Sequence, residues 1–86
     1  MSAPMPVRVM VQDAWDQVTL ELAPDTPVAE AKRQALELTR VDGDPRAYVV
    51  KYAGGEVLDE SRSLAEVGVR RNAALIVLPR RRRPVR

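Results

Sequence analysis

The chain has 86 residues, 45% hydrophobic and 30% charged, enough for one domain with a modest core, too short for two, and too apolar for a disordered chain. It contains no Cys and no His, which excludes a disulfide framework, a thiolate nucleophile, thiol or imidazole metal ligands and the usual general base near neutral pH. The net charge of +2 is unevenly placed: residues 80–86 hold five of the 14 basic residues, leaving nine bases against all 12 acids in residues 1–79.

A mildly acidic body followed by a strongly basic end implies a tail that acts apart from the fold. We therefore divide the chain into a flexible start (1–6), a folded domain (7–79) and a basic disordered tail (80–86). Residues 1–6 have neither a basic start nor a long apolar run, and nowhere does an apolar stretch reach membrane-spanning length. The expected location is the cytoplasm.

Val7, Val9 and Val11 alternate with Arg8 and Met10, the period of a strand with one face in a core. After the polar residues 12–17, Val18, Leu20 and Leu22 alternate with Thr19 and Glu21, so the two runs predict an antiparallel hairpin. Thr26 is placed to cap a helix as a side-chain acceptor, with Pro27 at the first helical position, where its missing N–H is no loss. Val28, Ala31, Ala35 and Leu38 then form one apolar stripe, with Glu30, Lys32, Arg33 and Glu37 off it, predicting an amphipathic helix of about three turns. Asp42, Gly43, Asp44 and Pro45 break the chain.

Tyr48, Val50 and Tyr52 alternate with Val49 and Lys51, a third strand. Gly54 and Gly55 supply a tight turn into a short strand at 56–58, and the series Ser63, Leu64, Ala65, Glu66 matches a capping box, with Gly68 ending one helical turn. Residues 73–78 are apolar throughout and predict a strand buried on both sides, stopped by Pro79. Hairpin, crossing helix, strand, short strand, helical turn and central strand are the order of an α+β β-grasp fold, with the last strand parallel to the first.

Specific residues carry a resemblance. The run from Val18 to Thr26 resembles the second strand of ubiquitin and its entry into the helix, and Lys32 falls where a ubiquitin helix lysine lies. Tyr52, Ala53 and Gly54, then Leu58, Asp59, Arg62, Ser63, Leu64 and Val69, resemble ubiquitin's aromatic-Ala-Gly turn and the segment after it, with one residue inserted near Ser61. The run from Ala74 to Leu78 resembles its last strand. The resemblance spans about residues 7–80 and implies a ubiquitin-like β-grasp protein. Among such proteins it looks most like bacterial ones of the EsaB/YukD type, which are associated with type VII secretion; the composition, rich in Arg, Ala and Val, suggests a GC-rich bacterial genome.

The departures bear on function. Ubiquitin and the bacterial sulfur carriers end in a diglycine that is adenylated, whereas the Gly-Gly here, Gly54 and Gly55, is internal and Pro84, Val85 and Arg86 come last; conjugation is not expected. Lys51 stands where the central isoleucine of ubiquitin's binding patch would be, so receptors built for ubiquitin should not bind.

Two readings stand beside each candidate residue. Trp15, in the hairpin connection, either anchors a partner or folds back on the sheet edge. Lys51, with Val49 and Ile76, either marks a contact surface on the sheet or is its solvated side. Arg80, Arg81, Arg82, Arg83 and Arg86 either bind nucleic acid or an anionic surface with salt-dependent affinity, or only keep the chain soluble. Aromatic residues that would stack on bases are not interleaved with them. Asp42 and Asp44 flank a glycine as calcium loops do, but lack the later ligands, so a plain turn is expected. Ser61 and Ser63 have no base to activate them. Neither cofactor nor metal is expected. The leading expectation is a non-catalytic protein-interaction module; the alternatives are a binder acting through the tail and an accessory subunit of a multicomponent enzyme.

Overall fold

The structure, a computed structural model, describes residues 3–80. The expected tail residues Arg81, Arg82, Arg83 and Arg86 lie outside the described residues.

Five strands and two helices follow in the order β1 (Met5–Val11), β2 (Asp16–Leu22), α1 (Val28–Leu38), β3 (Tyr48–Tyr52), β4 (Gly55–Glu56), α2 (Leu64–Val67) and β5 (Ala74–Pro79). They make one mixed sheet, ordered β2-β1-β5-β3-β4. β1 and β2 form the expected hairpin, with Val7 opposite Leu20 and Val9 opposite Val18. β5 enters beside β1 in parallel, Val9 against Leu75 and Val11 against Val77, and pairs antiparallel with β3 on its other side. The arrangement is the expected β-grasp. β1 begins at Met5, two residues before the alternation becomes legible.

One sheet face carries the core. Val7, Val9, Val11, Leu20, Leu22, Tyr48, Val50, Leu75 and Val77 project from the strands toward Val28, Ala31, Ala35 and Leu36 of α1, with Leu64 and Val69 closing one end. Alanines at 31 and 35 keep the α1 face thin, so the helix lies close on a sheet built of valine and leucine.

The helix stripe differs from its sequence reading at two positions. Leu38 is 58% exposed and Leu36 is buried in its place, because the stripe follows 28, 31, 32, 35 and 36 and the helix ends at residue 38. Lys32, expected on the polar side, is 5% exposed. Its ammonium donates to the Tyr48 carbonyl at 3.0 Å and pairs with Glu60 Oε1 at 2.6 Å, so the charge is buried with both an ionic and a hydrogen-bonding partner.

The expected Thr26 side-chain cap is absent, and Pro27 is the capping residue of α1. The N–H groups of Val28 and Ala29 instead donate to the carbonyls of Arg62 (3.0 Å) and Glu60 (2.9 Å). In exchange, the Leu64 and Ala65 N–H groups at the start of α2 donate to the carbonyls of Thr26 and Pro24, each at 2.9 Å. Each helix start thus satisfies the other's orphan donors, a solution invisible to local capping rules. α2 also has its capping box: Glu66 N–H donates to Ser63 Oγ, and Ser63 N–H to Glu66 Oε1. Gly68 ends it at φ 95°, a conformation that favours glycine.

The turn between β3 and β4 is shifted by one residue from its sequence reading. Ala53 and Gly54 are its left-handed central residues, at φ 54° and 86°, and Gly55 already pairs with Tyr52. This is the geometry a two-residue hairpin demands.

β5 departs from expectation in burial. It is central in hydrogen bonding, yet only Leu75 and Val77 are fully covered; Ala74 and Ile76 face outward, with Ile76 45% exposed. An unbroken apolar run carries no periodicity to reveal that only one face has a helix on it. Pro79 is the last residue of the strand rather than a stop before it.

Removing Lys32 leaves Glu60 and the Tyr48 carbonyl without their shared donor. Lys32→Ala should lower the unfolding free energy by about 3 kcal/mol, with part of the loss recovered in Lys32→Ala combined with Glu60→Ala, as read by urea denaturation.

Several exposed carboxylates are held below their ordinary pKa. Glu30 is lowered from 4.5 to about 2, first by its hydrogen bond from Arg33 and then by that from Gln34. Asp44 is lowered by its bonds from Arg46, Asp59 by those from Ser61, and Glu66 by those from Ser63. A depressed native pKa contributes stability that is complete above the unfolded value and is lost as pH falls through the native one. The urea midpoint should therefore stay level from neutral pH down to the carboxylate range and decline from 4.5 toward 2 for the Glu30 share. Glu30→Gln should flatten part of that decline.

Candidate interaction face

Alternation along the strands sends every second side chain away from α1. On β3 these are Val49 and Lys51, and the register sets Val49 opposite Leu78 and Lys51 opposite Ile76 on β5. On the far side of β5, Ile76 is level with Met10 of β1. Met10, Ile76, Leu78 and Val49 therefore form an apolar strip across three adjacent strands, uncovered by any second layer among the described residues. Arg8 and Lys51 are exposed on the same face. Three residues singled out from sequence, Val49, Lys51 and Ile76, are thus brought together.

Val49 is 7% exposed although it lies outside the core cluster. It sits at the floor of a groove of about 690 Å³, lined also by Gln12, Lys51, Glu56, Leu78, Pro79 and Arg80. Arg80 helps to form it: its N–H donates to the Ala47 carbonyl at 2.7 Å and its Nε to the Arg46 carbonyl at 3.3 Å. The first arginine of the basic run is therefore laid along the start of β3. Among the described residues neither Lys51 nor Arg80 has a carboxylate partner within ion-pair distance, although Glu56 is opposite Lys51 in register.

Trp15 is not part of this groove. It ends the 3₁₀ turn Gln12–Ala14 in the left-handed region, φ 51°, with its N–H on the Gln12 carbonyl, and is 84% exposed. Of its two readings, folding back on the sheet edge is not what the structure shows. A bulky side chain held at positive φ is a strained position. Beside it, Asp13 accepts from the Tyr48 hydroxyl at 2.9 Å, and this bond, ahead of burial, pushes the Tyr48 pKa up.

Met10, Leu78 and Gln12 escaped sequence reasoning because alternation assigns faces within a strand, while the β1–β5 register alone sets Met10 beside Ile76. Leu58, 86% exposed, was also missed; it lines a second groove with Val57, Arg62 and Val67. Asp44 is engaged with Arg46, accepting from its backbone N–H and its guanidinium. Among the described residues no three His, Cys, Asp or Glu side chains converge as metal ligands, and no helix is long and apolar enough to cross a membrane.

The sequence profile of the family described as Protein of Unknown function (DUF2604) matches residues 2–79. The chain belongs to this family. No curated protein sequence matches this DUF2604 chain. Among solved structures, it is similar to the ubiquitin-like domain of an Arabidopsis thaliana protein, with TM-score 0.76 and 19% identity over 98% of this chain and 85% of that one. A de novo design based on ubiquitin gives TM-score 0.78 and 20% identity over 91% of this chain and 90% of the design. The ubiquitin of Caldiarchaeum subterraneum gives 0.76 and 16% over 91% and 95%. At these identities the likenesses show the fold: this DUF2604 chain has a ubiquitin-like β-grasp fold.

Trp15 is the sole tryptophan, so its exposure has a direct optical reading. The emission maximum of the folded protein should lie close to that in concentrated urea, and iodide should quench both states to a similar extent. A blue-shifted, protected emission would mean that Trp15 is covered, by the chain or by a second copy.

Proposed function

We propose that this protein is a non-catalytic interaction module, working in the cytoplasm, that binds a partner protein through the outer face of its sheet. The observation that carries the reading is the apolar strip of Met10, Ile76 and Leu78, with Val49 beneath it and Lys51 at its edge, on a sheet whose other face is covered by α1 and by Leu64 and Val69. An apolar strip with polar rims on a rigid sheet is the composition of a protein-binding surface. The lack of His and Cys in the sequence leaves few groups for catalysis near neutral pH. Trp15, exposed and strained at the hairpin connection, is the second anchor we assign to the partner. The finer placement, as an accessory component of a bacterial type VII secretion system, rests on the resemblance to EsaB/YukD-type proteins alone.

A native capture experiment with the full chain, with and without nuclease, tests this reading. The parent protein should recover the same partner in both conditions, and Ile76→Asp should reduce recovery about tenfold or more while leaving the circular dichroism spectrum unchanged. Recovery that survives Ile76→Asp but disappears with nuclease would overturn the sheet-face reading and transfer the function to the arginine run.

A further inference from the structure

Resting on the proposed use of this face, the groove at its β3 end states what the partner presents. Three features run in line along β3. Arg80 is tied to the carbonyls of Arg46 and Ala47 at the strand's beginning, Val49 forms the floor with Leu78 opposite, and Lys51 stands beyond. From residue 47 to residue 51 an extended backbone advances about 13 Å. The cation, apolar floor and second cation are therefore spaced like side chains i, i+2 and i+4 of an extended strand, which project from one face.

We propose that this groove seats an extended acidic peptide segment of the partner, with an apolar side chain on Val49 and Leu78 and carboxylates two residues before and after it at Lys51 and Arg80. Charge complementarity carries the assignment, since neither cation is ion-paired among the described residues. Glu56 lies across from Lys51 on β4 and also lines the groove, so its like charge favours an acidic segment on the β5 side of Lys51.

The same chemistry disfavours a nucleic acid. No aromatic ring lines the groove: the Tyr48 hydroxyl is bonded to Asp13, the Tyr52 hydroxyl donates to the Gly68 carbonyl at 3.0 Å, and Trp15 is elsewhere. A base would find no stacking platform there, and the apolar floor offers nothing to a phosphate.

The probe is a fluorescein-labelled peptide with Glu, Thr, Leu, Thr and Glu at its centre, titrated with the full chain and followed by anisotropy and by ¹⁵N chemical shifts. A second peptide of identical composition has its two glutamates adjacent, a third carries Gln for Glu, and an oligo-dT of similar length serves as the nucleic-acid competitor. The first peptide should shift the amides of Val49, Lys51 and Leu78, and the other two should bind about fivefold more weakly. Lys51→Glu should weaken the first peptide by at least about fivefold, and Lys51→Arg should not. Equal binding of the two acidic peptides, shifts confined to the arginine run, tighter binding of oligo-dT, or no binding at all would each overturn the proposal. If no peptide binds while Ile76→Asp still abolishes partner capture, the docking face stands and its acidic occupant does not.

Discussion

The fold depends on how the long connection between β4 and β5 is fastened. Residues 57–73 contain only the single turn of α2, and a stretch of that length with so little structure of its own holds a fixed course only through its backbone bonds. Four of these bonds are exchanged with the start of α1: Val28 and Ala29 donate to Arg62 and Glu60, and Leu64 and Ala65 donate to Thr26 and Pro24. Lys32, one turn into α1, reaches the same segment through Glu60 and reaches β3 through the Tyr48 carbonyl. The helix, the connection and the central sheet are thereby joined at one place. Leu64 and Val69 then close the core at that end, and β5 is delivered between β1 and β3.

That single-sided construction also leaves one sheet face without a helix among the described residues. Except for Val49, the buried valines and leucines of the strands project toward α1, and the alternate residues form the other sheet face. On β1, β5 and β3 those residues include the apolar Met10, Ile76, Leu78 and Val49 beside Arg8 and Lys51, and on β2 they are Gln17, Thr19 and Glu21. The apolar strip therefore crosses the three central strands of the sheet, and the groove lies at its β3 end. The groove depends on a tertiary detail as well, since Arg80 is held along the start of β3 by two backbone carbonyls.

Charge serves two separate purposes. The pairs Glu30 with Arg33 and Asp44 with Arg46 are local and exposed, and such pairs contribute little each. Lys32 is the buried cation of the core side, locked by two partners. Lys51 and Arg80 are exposed without acidic partners among the described residues.

Much of the architecture was legible because it is periodic or locally determined. Alternation at residues 7–11, 18–22 and 48–52 gave the strands and their core faces, the Ser63 and Glu66 spacing gave the capping box of α2, and the order of elements gave the β-grasp topology. The same alternation sets Val49 and Lys51 on the face away from Val50, whereas only the β3–β5 register puts Ile76 beside Lys51. Other features were decided only by the tertiary structure. Periodicity could not tell that Lys32 is buried and Leu38 exposed, that the distant backbone carbonyls of Arg62 and Glu60 cap α1 instead of Thr26, or that β5 is covered on one side. Each depends on which distant segment lies against the residue, and a local pattern carries hydrophobicity and chirality but no information on the neighbour that chain topology brings to it.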